Sequence, residues 1–177
     1  MDNSWLDLLQ NTNQLAKVVE TNDFTERFGL VLSQEDAQLI VDNRKTSLKE
    51  QKRVEFGESV APKIIKEFCD SAYINQTNYV DTIIRLQEIF YLFKNEMNDE
   101  ITDDELLHIM REQFDNLCFG DLDYLEGTCL SDFAQAIRAG YTGFQGTDGY
   151  GEYARFDTQE RWSYELYHQA LEQLFWK

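Results

Sequence analysis

The chain has 177 residues and a formal net charge of −17, from 33 acidic and 16 basic residues. This charge argues against binding to nucleic acid or to an anionic membrane surface, because both are bound mainly through Lys and Arg. The hydrophobic share of 42% is enough for a folded core, and no apolar run is long enough to cross a membrane.

The cysteines and the N-terminus indicate the compartment. Three cysteines are an odd and sparse set, typical of a reducing environment rather than of a disulfide framework. The first ten residues lack the basic start and long apolar stretch of a signal peptide. We therefore expect a cytoplasmic protein with no membrane partner.

The first third of the chain predicts helices separated by short breaks. Ser4 can cap a helix that runs to Glu20, although Asn11, Thr12 and Asn13 weaken its middle and leave two short helices as an alternative. The apolar residues of this helix share one face. That face consists of Trp5, Leu8, Leu9, Leu15, Ala16 and Val19. We expect residues 22–32 to be irregular, a second helix from Ser33 to about Arg53, and a third from Ser59 to about Ser71.

Residues 78–98 predict the longest and most apolar helix. At 100° per residue its apolar side chains form two neighbouring stripes. The first contains Tyr79, Ile83, Leu86, Phe90, Phe93 and Met97, and the second contains Val80, Ile84 and Tyr91. A helix with two apolar stripes must be covered on two sides, so we expect it at the centre of a helical bundle.

The remaining chain also predicts helices and one long loop. Thr102 and Glu105 form a capping box for a helix to about Leu117, and another helix is expected over residues 128–139. Residues 140–157 are rich in glycine and aromatic residues and predict a loop, and a last helix follows it to the C-terminus. The predicted fold is a single all-α domain over residues 1–177, a bundle of about six to eight helices.

Several runs resemble a family of uncharacterised bacterial proteins from Firmicutes, classed as a domain of unknown function. These runs are VEFGESVAPKIIKEFCDS (54–71), LQEIFYLFKNE (86–96), DDEL (103–106) and YLEGT (124–128). The resemblance implies a bacterial, cytoplasmic setting. It brings no activity, cofactor or site residue with it.

Both histidines lie in Glu-x-x-His motifs, Glu105 to His108 and Glu165 to His168. Two such motifs with two further carboxylates are the ligand set of a di-metal carboxylate bundle. The helical wheel argues against this, because His108 lies about 170° from the apolar side of its helix, where a buried metal would be. A metal-binding enzyme or carrier is therefore an alternative, and the leading interpretation has no cofactor.

Charge is distributed unevenly along the chain. Residues 95–137 contain twelve acidic residues and one basic residue, whereas residues 44–66 contain seven basic and three acidic residues. One interpretation is an acidic surface that mimics nucleic-acid phosphates or binds a basic partner. The other is a solvated face that the protein's own basic helices, or those of a second copy, partly neutralise.

The loop over residues 140–157 has two interpretations. Its aromatic residues can contact a partner, or they can fold back over the bundle. These residues are Tyr141, Phe144, Tyr150 and Tyr153.

The sequence favours a non-enzymatic function. Its cysteines and histidines form no recognisable local motif for nucleophilic catalysis, and Cys118 is expected to be the most exposed of the three thiols. The leading hypothesis is a cytoplasmic protein-interaction module that binds an unknown protein or a second copy of itself. A metal-binding protein and an acidic mimic of nucleic-acid charge are the alternatives.

Overall fold

The computed structural model describes residues 4–139, and every regular element in that range is helical. This confirms the all-α class. The chain divides into two compact units, Met1–Leu92 and Phe93–Lys177. We call them unit 1 and unit 2 and describe residues 4–92 of the first and 93–139 of the second.

Unit 1 contains four helices and most of a fifth. They are α1 (Ser4–Glu20), α2 (Asn22–Thr25), α3 (Gln34–Glu50), α4 (Ala61–Phe68) and α5 (Tyr79–Glu96), which continues past Leu92. A single 3-10 turn, Glu26–Phe28, follows α2 and ends at Gly29, whose φ of 78° is the left-handed conformation that glycine adopts at low cost. α1 packs against α3 and, less extensively, against α4.

Within residues 93–139, unit 2 continues with three further helices. They are α6 (Asp103–Asn116), α7 (Leu122–Tyr124) and α8 (Leu130–Arg138). A π-helical turn, Leu125–Cys129, joins α7 to α8. Among the described residues, no helix combines the length and apolar composition needed to span a bilayer.

Two helix starts follow the predicted capping chemistry. At α3, the Ser33 hydroxyl accepts a hydrogen bond from the Asp36 amide at 3.0 Å, and the Asp36 carboxylate accepts one from the Ser33 amide at 3.3 Å. Thr102 and Glu105 make the same reciprocal pair at α6, at 3.2 and 3.0 Å. Each box satisfies two amides that have no partner within the helix.

α5 carries the core side chains that its sequence predicts. All six residues of the first predicted stripe are buried, as is Tyr91 of the second, while Val80 and Ile84 are half-buried. Two polar side chains, Gln87 and Lys94, are also buried. The Gln87 amide donates to the Ile40 carbonyl at 3.0 Å, which ties α5 to α3.

Some predicted element bounds are wrong. Residues 22–32 are not irregular throughout, because Asn22 hydrogen-bonds both the carbonyl and the amide of Leu32, each at 2.8 Å, and so holds the short α2 in place. α3 ends at Glu50 rather than Arg53, and α4 covers residues 61–68 only. The helix predicted over residues 128–139 is α-helical only from Leu130, because the π-helical turn Leu125–Cys129 precedes it.

Candidate interaction surface

α1 presents to solvent much of the apolar face that its sequence predicts. We call this face the α1 stripe and include Thr12, which lies on the same side of the helix between Leu9 and Leu15. The stripe consists of Trp5, Leu8, Leu9, Thr12, Leu15, Ala16 and Val19. Trp5 is 60% exposed, Leu8 66% and Leu9 59%. Ala16 is exposed too, while Leu15 and Val19 are half-buried.

The packing of α1 explains why this face remains open. The side chain that α1 buries completely is Val18, which lies on the other side of the helix from Trp5 and Leu9. Asn11 is also partly buried on that side. The helix thus packs on α3 through a narrow, partly polar face and leaves its broader apolar face in water.

The α1 stripe contains no charged residue. The charges of α1 are Asp7, Lys17 and Glu20, and all three lie outside it. Thr12, at its centre, donates its hydroxyl hydrogen bond to the Leu8 carbonyl at 2.9 Å, so it needs no polar partner from outside. A partner could therefore cover the stripe without leaving a charge or hydroxyl unsatisfied.

A groove of about 550 Å³ lies on another side of α1. Gln10, Asn13 and Gln14 of α1 form one wall, and the segment from Val54 to Glu58 forms the opposite wall. Lys17 pairs with Glu58 across it. Val54 and Phe56 are 78% and 91% exposed, so this groove also carries apolar side chains in water.

A buried ion pair lines the same groove. The Nε and Nη2 atoms of Arg44 donate to one carboxylate oxygen of Glu55, at 3.2 and 2.8 Å. Burial by itself would lower the pKa of Arg44, but the hydrogen bond and charge of Glu55 raise it, so the guanidinium stays protonated. Burial and then the Glu55 charge raise the pKa of Tyr91, which keeps its phenol neutral. Among the described residues that line the groove, both cations, Lys17 and Arg44, are paired with carboxylates.

The thiols do not form a reactive site. All three cysteines are buried, so the prediction that Cys118 is exposed is wrong. It lies 3.5 Å from Cys129, Sγ to Sγ, because the π-helical turn places Cys129 beside the end of α6. The hydrogen bond to Cys129, followed by burial, raises the pKa of Cys118, and a neutral thiol is a poor nucleophile.

The predicted site residues fall partly within the described chain. The Glu105 carboxylate accepts the Thr102 amide as the second half of the capping box, and His108 is half-buried one turn later. Within residues 4–139, no three His, Cys, Asp or Glu side chains are grouped as metal ligands would be. Glu165 and His168 lie outside the described residues, as do the loop aromatics Tyr141, Phe144, Tyr150 and Tyr153. The metal and loop hypotheses therefore stay predictions.

Residues 17–143 match a family of unknown function, DUF6323. The chain belongs to this family. No curated protein and no solved structure matches it. The matched range contains the Arg44–Glu55 pair and all of α3 to α8, whereas most of the α1 stripe precedes residue 17.

Sequence reasoning placed the apolar residues of the α1 stripe on one helix face but did not show that this face is exposed. The apolar spacing of a helix is the same whether the face meets its own core or a partner. Two signals in the sequence favour a partner: Thr12 interrupts the stripe at its centre, and Asn11 and Asn13 flank it. The groove was missed, because Val54 and Phe56 belong to a short segment without helical or strand periodicity.

Proposed function

We propose that this DUF6323 protein is a non-enzymatic interaction module that binds a protein partner or a second copy of itself through the α1 stripe. The single observation that carries the proposal is the exposure of Trp5, Leu8 and Leu9 side by side on one helix face. Scattered apolar side chains are normal on protein surfaces, whereas a contiguous group of this size is typical of an interaction site.

The energetics support the proposal. Covering a side chain of leucine size contributes about 1.5–3 kcal/mol relative to leaving it in water, and Trp5 has a still larger apolar surface. Tryptophan is also among the residues that most often dominate binding energy at interfaces. A partner that covers these three side chains gains most of its affinity from them.

We further propose that the protein is bacterial and cytoplasmic. Its runs resemble Firmicutes proteins, and none of its three cysteines, all of which lie in the described part of the chain, is in a disulfide, as is typical of a reducing compartment. Fractionation of cells that express the protein should place it in the soluble cytoplasmic fraction. Recovery with membranes or outside the cell would contradict this.

The charge of unit 2 favours a second candidate function, an acidic mimic of nucleic-acid charge. Its described residues contain twelve acidic and three basic side chains, a net charge of −9. A mimic should compete with DNA for a DNA-binding protein, and the competition should weaken steeply with salt. Binding that is insensitive to salt would reject this candidate.

Affinity purification from a bacterial lysate tests the leading proposal. The tagged wild-type chain is compared with Leu8→Glu, which places a charge in the stripe, and with Leu39→Glu as a matched control. Leu39 is 54% exposed on α3 and lies outside the stripe. We expect wild type and the Leu39→Glu control to retain the same bound partner, which is either another protein or an untagged copy of the chain. We expect Leu8→Glu to lose this partner. Equal retention by all three would overturn the proposal.

A further inference from the structure

The α1 stripe has a symmetric spacing. Its outer residues, Trp5 and Val19, lie seven positions before and after Thr12. Leu8 and Ala16 lie four positions away on either side, and Leu9 and Leu15 three. The same positions are therefore apolar when the helix is read in either direction.

This symmetry allows two copies of α1 to pair antiparallel. A two-fold axis at Thr12 places every stripe residue of one copy opposite a stripe residue of the other, which is the requirement for an isologous interface. A slip of four residues keeps the two stripes facing each other, but it places Leu8 opposite Glu20 and Trp5 opposite Asp23. The register centred on Thr12 therefore pairs more apolar side chains than this slipped register does.

The side-chain sizes are complementary in this register. Trp5 of one copy meets Val19 of the other, and Leu8 meets Ala16, so a large side chain faces a smaller one at both ends. Leu9 meets Leu15 beside the axis. Alternation of large and small side chains lets two helices approach to the usual 8–10 Å between their axes without voids.

Charge favours a contact through this part of the molecule. The described residues of unit 1 contain 14 acidic and 10 basic side chains, a net charge of −4, and none of these lies in the stripe. Repulsion from charges farther away is screened over about 8 Å at physiological ionic strength. A second copy thus meets a stripe without charged side chains, on the unit whose described residues have the smaller net charge.

The size of the contact sets its strength. The stripe extends over about 21 Å of helix, and a helix pair of this length buries on the order of 1,000 Å² in total. That area is at the lower limit of specific interfaces, so the association is expected to depend on concentration in the micromolar range.

We propose that a second copy of this chain docks on the α1 stripe, antiparallel and with the two-fold axis at Thr12. This rests on the proposed function and names its partner. The dimer has two equivalent stripes that cover each other.

Sedimentation velocity of the purified full-length chain tests the association. From low to high micromolar concentration, the wild type should shift from the monomer mass of 20.9 kDa towards twice that mass. Leu8→Glu should weaken dimerisation at least tenfold, because each dimer contains two substitutions, while Leu39→Glu should behave as wild type. A wild-type monomer at every concentration would overturn the proposal.

Cross-linking tests the register. Thr12→Cys places two thiols at the axis, where a short bis-maleimide should join them, whereas Gln10→Cys faces the groove and should not cross-link. The three native cysteines are buried and give little background. Trp5→Cys distinguishes the two orientations, because its two copies lie about 21 Å apart in the antiparallel pair and side by side in a parallel pair. Equal cross-linking at Thr12 and Gln10 would overturn the contact at Thr12, and efficient cross-linking of Trp5→Cys would overturn the antiparallel register.

The proposed function and this inference fail separately. If purified protein stays monomeric while Leu8→Glu still loses its partners in lysate, the second copy is the wrong occupant and the function stands. If Leu8→Glu changes neither the mass in solution nor the partners retained from lysate, the proposed function and the dimer are both overturned. Circular dichroism of each variant should match wild type, since the substituted side chains are exposed.

Discussion

The two units differ in what they present to solvent. Of the twelve large apolar side chains exposed within residues 4–139, eleven lie in unit 1 and one, Phe119, in unit 2. Unit 2 supplies 47 of the 136 described residues, so its length alone does not explain this difference. The described residues of unit 1 have a net charge of −4 and those of unit 2 a net charge of −9. The more strongly charged unit thus exposes fewer large apolar side chains.

This contrast separates two roles. A surface with exposed apolar side chains and mixed charge can form contacts, whereas a strongly acidic surface repels other acidic molecules and keeps the protein soluble. We infer that unit 1 carries the interaction and that unit 2 contributes charge. The described part of each unit also buries one cation, Arg44 in unit 1 and Lys94 in unit 2. The surroundings of these two cations provide the first tests.

The largest expected effect is the removal of the buried cation of unit 1. Arg44→Met leaves the Glu55 carboxylate without its partner beside the buried Tyr91, and we expect a loss of about 3 kcal/mol in the free energy of unfolding. Urea titration measures it. The double variant Arg44→Met/Glu55→Gln should recover part of the loss. A loss below about 1 kcal/mol would show that the pair is unimportant for unit 1.

A pH-dependent loss of stability is expected from Tyr79 of unit 1. Burial raises its pKa to about 12, above the value near 10 in an unfolded chain. The folded state therefore holds this proton more tightly, so the stabilisation is complete below pH 10 and falls by about 2–3 kcal/mol as the pH rises towards 12.

Tyr79→Phe is the matched control for this pH effect. The buried hydroxyl lies near Thr25 but makes no hydrogen bond of ordinary geometry to the described residues, so phenylalanine should have little effect at pH 7 and should reduce the slope above pH 10. The measurement is urea titration across this pH range. An unchanged slope would contradict the assignment to Tyr79.

A smaller effect is expected from the buried cation of unit 2. The Lys94 ammonium donates to the Ile101 carbonyl at 2.8 Å and pairs with Asp103 at 2.9 Å and Asp99 at 3.7 Å. Lys94→Met should cost about 1–2 kcal/mol, because both carboxylates are half exposed and can be hydrated. The cost should shrink in high salt. If Lys94→Met lowered the free energy of unfolding as much as Arg44→Met does, the two units would not differ in how much their buried cations stabilise them.

The smallest effect on stability is expected at the α1 stripe. Trp5→Ser and Leu9→Gln should each change the free energy of unfolding by less than about 0.5 kcal/mol in dilute protein, because these side chains are already in water. The urea midpoint at low concentration measures this. A loss above about 2 kcal/mol would mean that the stripe is covered within the chain and that unit 1 has no open apolar face.

Helix positions and core were largely predictable, whereas the surfaces were not. The capping boxes at Ser33 and Thr102 and the first stripe of α5 follow from local hydrogen bonding and apolar periodicity. The burial of Gln87 and Lys94 depends on acceptors 47 and 7 residues away along the chain, and Gln87 in particular has no local signal. The proximity of Cys118 to Cys129 depends on a π-helical turn, which the sequence does not predict.

The α1 stripe shows a different limit. Periodicity identified its residues, but only the packing of α1 on α3 through Val18 shows that its apolar face meets solvent. Whether a face is core or interface depends on contacts distant in sequence, and helical spacing contains no information about them.

Sedimentation velocity of a fluorescently tagged chain in bacterial lysate tests the central claim most directly. The account predicts that wild type and Leu39→Glu sediment faster than a monomer and that Leu8→Glu sediments as a monomer. If all three sediment alike, the α1 stripe is not an interaction surface and the central claim is wrong.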